Sequence, residues 1–336
     1  MAPDVKADGM RADGVKGEMT AKRRPGAPPA ILVGTMNFGG RTPLEEAERI
    51  TLRALERGIT AFDTANLYQD GASERILGRA LRGRRAEAQI ATKVGLRRVG
   101  GRPEGLGRER VIRAVEESLA RLGTDRVDVC YLHAPDPETP IEETLSAIDA
   151  LLEQGKILQY GVSNFASWQI LEIIARRDAV GKPRPAASQV LYNALIRQLD
   201  VEYAAFARRY ALATAVYNPL AGGLLTGRHA GPEATQAGSR FERNGVYQRR
   251  YWSRRMFDLA AGYAAVAADE GMSLLSLSYA WLAGRDVVDS ILVGPVRAEH
   301  LDAAADAVGR PLSEEAARRM DALYRDHLGT DASYAR

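Results

Sequence analysis

Four side chains suited to moving a proton stand where short apolar runs end: Asp63, Tyr68 five residues on, Lys93 and His133. Tyrosine's ordinary pKa of about 10 makes it a poor proton donor at neutral pH. A neighbouring lysine ammonium favours the tyrosinate and lowers that pKa, and a carboxylate beside the lysine keeps it charged and oriented. His133 can hydrogen-bond the same oxygen or position a carbonyl. Each residue also has a plainer role: Lys93 as a surface charge, His133 as a structural histidine, Asp63 as a helix cap, Tyr68 as a half-buried aromatic. Their recurrence at successive run ends is what points to an acid–base relay. The series continues with Ser163, Asn164, Gln189, Tyr217 and Asn218.

Lysine usage sharpens the reading. Only six of the 46 basic residues are lysines: Lys6, Lys16, Lys22, Lys93, Lys156 and Lys182. Lys156 and Lys182 lie in glycine-flanked turns and read as solvated surface. Lys93 follows an apolar strand, where a compact point charge is needed and a planar guanidinium is not. Cys130, inside VDVCYLH, lacks a basic neighbour on its own face and reads as an inert buried thiol. His133, His229, His300 and His327 have no metal-ligand spacing, so no metal site is expected.

The elements that must carry these residues alternate. Apolar runs at 30–33, 60–62, 89–91, 127–131, 157–162, 187–190, 213–217 and 290–293 are separated by amphipathic stretches. Helical spacing is clear at 44–57 and 109–121, and Gly58, Gly78, Gly83, Gly123 and Gly155 read as helix exits. Eight strand–helix repeats predict a parallel sheet closed into a (β/α)8 TIM barrel, with chemistry at the carboxyl ends of its strands. A doubly wound dinucleotide fold would need Gly-x-Gly-x-x-Gly after its first strand, and GTMNFGGRTP lacks it. Some 70 residues separate the last two strands, and their Gly-, Arg- and aromatic-rich part at 228–252 reads as a functional loop. A capped helix is expected over 313–327.

Residues 1–28 lack apolar periodicity and read as a disordered extension, which leaves 29–336 as a single barrel. Met19 is a second candidate start. The extension carries +2 of the chain's formal +3, so the body is nearly neutral and neither nucleic acid nor an anionic membrane is an expected partner. One cysteine excludes a disulfide framework and fits a reducing cytosol, so a cytoplasmic location is expected.

Beyond these patterns, FDTANLYQDGASERILGRAL, ATKVG, YLHAPD, YGVSNFASW and YNPLAGGLLTG resemble the aldo-keto reductase superfamily. Their spacing is most similar to its aflatoxin-aldehyde and succinic-semialdehyde reductase branch. The resemblance runs from about residue 30 to the terminal SYAR. It implies NADPH-dependent reduction of a small-molecule aldehyde or ketone, with Tyr68 as proton donor supported by Asp63, Lys93 and His133. It further implies that Ser163, Asn164 and Gln189 hold the nicotinamide carboxamide and that Tyr217 stacks on the ring. Asn218, Leu220, Gly222 and Arg228 would wrap the pyrophosphate, with Gly222 and Gly223 letting backbone approach closely. The segment GPVRAEHLDAA, starting at Gly294, would read the adenosine 2′-phosphate through Arg297 and His300. It departs from the family pattern at Ala304, commonly asparagine, and at His300, commonly glutamine or arginine. Those departures bear on adenine contacts and on preference for NADPH over NADH.

The same resemblance places Tyr247 and Arg250 against the substrate, the arginine pairing with a carboxylate. Arg249, Arg254 and Arg255 are close enough that any of the four could point inward. A homodimer is also implied. Two other roles share these motifs: a cofactor-binding regulatory subunit of the potassium-channel β type, and a dedicated keto-sugar or natural-product ketoreductase.

Overall fold

The computed structural model describes residues 18–233, 235–331 and 334. Eight strands close into an all-parallel barrel: β1 (Ala30–Gly34), β2 (Ala61–Asp63), β3 (Gln89–Val94), β4 (Val127–Leu132), β5 (Ile157–Ser163), β6 (Ala187–Leu191), β7 (Ala213–Tyr217) and β8 (Ser290–Val293). The last strand pairs with the first, Ala30 opposite Ser290 and Val33 opposite Val293, so no edge is left open. Period-two alternation divides each strand. Leu32, Ala61, Ala91, Val129, Tyr131, Ala187, Ala213, Ala215 and Leu292 pack together in the barrel interior, while Val33, Phe62, Ile90, Cys130, Val190, Val216 and Ile291 join the core under the helices. Alanines are numerous inside because facing strands leave little room; where Tyr131 enters, β5 carries Gly161, whose added Cβ would lie 2.5 Å from that ring.

Helices α1 (Leu44–Glu56), α2 (Ala72–Ala80), α3 (Arg108–Leu122), α4 (Ile141–Glu153), α5 (Ser167–Ala179) and α6 (Tyr203–Arg209) follow the first six strands. The long stretch after β7 holds α7 (Gly245–Tyr251), α8 (Arg254–Asp269) and α9 (Leu274–Ala283), and β8 is followed by α10 (Ala298–Val308) and α11 (Glu314–Leu328). The expected cap of α11 is made: Ser313 Oγ accepts the Ala316 N–H at 3.0 Å. After β3 a short antiparallel pair, Arg98–Val99 with Arg102–Pro103, departs from the repeat.

Two expectations change. Gly58, Gly123 and Gly155 do adopt left-handed backbone just past helices, but Gly78 lies inside α2. A Cβ there would stand 2.2 Å from the Leu122 carbonyl oxygen, so this glycine exists for the close approach of α2 to the end of α3. Gly78→Ala must push the helices apart, and we expect it to lower unfolding free energy by about 1–3 kcal/mol, read as a reduced urea midpoint at unchanged slope.

The expected disordered extension is also too long. Residues 18–28 pack across the amino-terminal mouth of the barrel, with Met19 only 2% exposed inside it. Lys22 Nζ and Arg23 N both donate to the Asp289 carboxylate at 2.8 Å, and Thr20 Oγ1 donates to Gln159 at 2.6 Å. One methionine and three polar anchors order this stretch, which a search for periodicity passes over. Residues 1–17 of the expected extension lie outside the described residues.

Candidate functional site

At the carboxyl ends of the strands a cavity of about 690 Å³ opens. Asp63 ends β2, Lys93 is the penultimate residue of β3, Ser163 ends β5, Gln189 is central in β6 and Tyr217 ends β7. Parallel register brings them to within two residues of one level, since Asp63 aligns with Ala91, two before Lys93, and Ser163 with Gln189. Lys93 is fully buried beneath the cavity floor. Its ammonium forms a short ion pair with Asp63 and donates to the Thr64 carbonyl at 2.8 Å and the Tyr68 hydroxyl at 3.2 Å. Gln189 Nε2 donates to the second Asp63 oxygen at 2.8 Å. Asp63 is therefore a buried counter-ion and caps no helix.

The electrostatics refine the expected relay. Burial pushes the Lys93 ammonium down, but the Asp63 carboxylate and the Tyr68 oxygen outweigh it and hold the lysine above its ordinary value. Burial raises the Tyr68 phenol, and the opposing charge of Lys93 does not bring it back below 10.0. The sequence leads to a lowered tyrosine; the structure reverses the sign because desolvation of the phenolate outweighs one ammonium 3.2 Å away. Tyr68 thus holds its proton until a stronger base meets it. His133 packs its ring edge-on to Tyr68 with centroids 6.1 Å apart. Burial and then Lys93 depress it to about 3, so it is neutral, and its Nδ1 has no protein partner.

The cavity runs from this group to a cationic end. Asn164, at φ 61°, donates to the His133 carbonyl at 2.9 Å and accepts from the Tyr217 hydroxyl at 2.7 Å. Asn218, at φ 63°, accepts the Gly222 N–H at 2.8 Å and so fixes the glycine turn. At Gly223, with φ 109°, the space a Cβ would take is open except for Arg228 at 3.9 Å. Arg228, Arg297 and His300 line the far end, with Leu220 and Gly294 between. Asp63, already paired, is the only carboxylate among the described residues lining the cavity. That end carries an excess of positive charge, opposed only weakly by the exposed Glu299 carboxylate 3.9 Å from Arg297.

Arg41, from the loop after β1, and Arg240, from the long loop after β7, also line the cavity. Burial first, then Arg240 and Arg228, pull the Arg41 guanidinium below its ordinary value. Arg240 lies over the Tyr247 ring, 5.3 Å from its centroid, and donates to Asn37 Oδ1 at 2.6 Å. Asn37 in turn donates to the Gly294 carbonyl at 3.1 Å, so three loops are tied across the cavity. Arg250 does not line it: the side chain is half-buried beside Tyr217 and Tyr251, where its charge acts on both phenols. Arg254 and Arg255 are engaged by Glu233 and the His327 carbonyl. A surplus of arginines in one loop is visible in the sequence; which of them faces inward depends on the path of the loop.

A family model described as Aldo/keto reductase family matches residues 30–325. The chain belongs to the aldo-keto reductase family. Among curated proteins, this aldo-keto reductase is 37% identical over 243 residues to mouse (Mus musculus) aflatoxin B1 aldehyde reductase member 2, covering 70% of this chain and 66% of that protein. It is 38% identical over 262 residues to the human (Homo sapiens) aflatoxin B1 aldehyde reductase member 2, covering 75% and 72% respectively. It is also 30% identical over 281 residues to a probable voltage-gated potassium channel subunit beta of Arabidopsis thaliana, covering 81% and 85%. The Cys130 thiol of the reductase is pushed up to about 12 by burial, which fits an inert core residue. Among the described residues no group of His, Cys, Asp and Glu could hold a metal, and no helix is long and apolar enough to cross a membrane.

Proposed function

We propose that the protein is an oxidoreductase that converts an aldehyde or ketone to an alcohol with NADPH. One observation carries the reading: a protonated Tyr68 hydroxyl faces the cavity with a buried ammonium 3.2 Å behind it. A carbonyl oxygen placed against that hydroxyl takes its proton as negative charge develops, and Lys93 stabilises the tyrosinate left behind. Asp63 keeps Lys93 charged and aimed. Neutral His133 has no positive charge to compete for the oxygen and can donate one hydrogen bond to it.

A nicotinamide dinucleotide fits the residues present. Ser163, Asn164 and Gln189 offer amide-complementary groups beside the relay, the open space at Gly223 admits a pyrophosphate, and the excess of arginines suits several phosphates. Bound there, a reduced nicotinamide would supply the hydride. Arg41 and Arg240 join Arg228 and Arg297 as expected phosphate ligands, and Arg297 with His300 would favour the 2′-phosphate. If so, Arg297→Ala weakens NADPH binding by roughly tenfold or more and leaves NADH unchanged, as read by protein-fluorescence titration. Equal losses for both nucleotides would remove Arg297 from phosphate discrimination.

Tyr247 lines the cavity and is proposed to contact substrate, whereas Arg250 does not line it and carries no proposed carboxylate contact. The likeness to the Arabidopsis protein favours a second reading, a cofactor-binding regulatory subunit. NADPH oxidation with 4-nitrobenzaldehyde separates them: turnover supports the enzyme, tight cofactor binding without turnover supports the regulator. A cytoplasmic homodimer completes the proposed reading.

A further inference from the structure

Tyr68 opens a strained turn whose own backbone bonds include Tyr68 N–H to the Ala65 carbonyl at 3.0 Å and Asp70 N–H to the Leu67 carbonyl at 3.3 Å. Gln69 and Asp70 directly after it have φ of 49° and 50°, a left-handed conformation costly for side-chain-bearing residues, and Gly71 follows at 81°. Contacts from outside the loop add to these bonds. The excursion after β3 supplies such contacts from both sides. Glu104 Oε1 accepts from Asn66 Nδ2 at 2.6 Å and from the Gly95 N–H at 2.6 Å, while the Asn66 N–H donates to the Lys93 carbonyl at 3.1 Å. One carboxylate oxygen thereby joins the end of the Lys93 strand to the residue two before Tyr68. On the other side Arg97 Nε donates to Asp70 at 3.1 Å. Arg97 and Glu104 face each other across the base of the small hairpin, with the Glu104 N–H donating to the Arg97 carbonyl at 2.8 Å.

We propose that this hairpin is a brace that sets the Tyr68 hydroxyl against Lys93, with Glu104 as its positioning residue. Arg97 is secondary, because Asp70 is largely exposed and such surface pairs contribute little. Asn66 is 1% exposed, so loss of its acceptor leaves a buried N–H unsatisfied and the loop free to shift. Glu104 does not line the cavity and is not a catalytic residue. The inference rests on the reading of Tyr68 as proton donor.

A position-holding oxygen and a needed charge make opposite predictions for two conservative variants. Glu104→Gln keeps an acceptor at the same reach without charge; Glu104→Asp keeps the charge and withdraws the oxygen by one methylene. With NADPH and 4-nitrobenzaldehyde we expect kcat within about threefold of wild type for Gln, about tenfold lower for Asp, and about a hundredfold lower for Ala, since small misplacements of reacting groups cost that much. NADPH affinity by fluorescence titration should stay within about twofold throughout. The order Gln above Asp holds the proposal up even if the alanine variant fails to fold. Asp at or above Gln, wild-type kcat in all three, or a parallel loss of NADPH affinity would overturn it. Tyr68→Phe, assayed alongside, separates the two levels: if it keeps full turnover, the proton-donor reading falls and the brace with it. If it is inactive while the Glu104 series is unchanged, the brace alone falls.

Discussion

Tyr68→Phe should lower kcat by about a thousandfold or more, because it deletes the only hydroxyl among the described residues that contacts both Lys93 and the cavity. The ring and its edge-on packing against His133 remain, so the fold and NADPH affinity should be close to wild type. Loss of turnover with retained binding would be the signature of a missing proton, as opposed to a damaged site. The pH profile adds a second check. Tyr68 acts in its protonated form, so activity is lost as pH rises through its pKa. Burial holds that pKa above 10.0, which places the alkaline limb of kcat above pH 10. His133, down at about 3, contributes no acid limb near neutrality. A limb at pH 6–7 that disappears in His133→Gln would contradict the neutral histidine.

Lys93→Met is expected to affect stability and turnover together. It leaves the Asp63 carboxylate fully buried with only Gln189 as a polar partner, and breaking such a pair costs about 3–5 kcal/mol. Removal of the ammonium leaves burial to push the Asp63 carboxyl further above its reference value of 3.8. A carboxyl whose folded pKa lies above its unfolded one binds its proton more tightly when folded, so stability falls as pH rises between the two values. The variant should therefore be least impaired at acid pH and lose ground from about pH 4 upward, measured by urea unfolding across that range. Adding Asp63→Asn should restore much of the stability without restoring turnover, since the tyrosinate still lacks its cation. A single variant as stable as wild type at pH 7 would mean that water, not Lys93, compensates Asp63.

Much of this site is legible in the chain because strand ends are local features. Apolar runs of three to six residues, each ending within two residues of a polar one, identify Asp63, Lys93, His133, Ser163 and Tyr217, and parallel register then brings them to one end of the barrel. Closure is legible too, since eight repeats leave no edge. Arg41 and Asn37 carry no such mark. Their significance lies in what surrounds them: Arg41 meets two other arginines and no acid, and Asn37 bridges two loops distant in sequence. Gly78 resembles a helix stop until α3 is placed beside it. Met19 resembles a tail residue until a barrel mouth is there to receive it.

The sign of the tyrosine shift is the sharpest case. The sequence by itself determined the barrel and singled out the four residues proposed as the relay, because periodicity and residue chemistry are carried by short segments. Only the tertiary structure decided that burial outweighs Lys93 at Tyr68, and that Arg240 lines the cavity where Arg250 does not. It also placed the Glu104 carboxylate, eleven residues past Lys93, in hydrogen bonds with Asn66 and Gly95 beside the Tyr68 loop. Desolvation and loop trajectory are sums over neighbours brought in from the whole chain, and no local pattern of residues contains them.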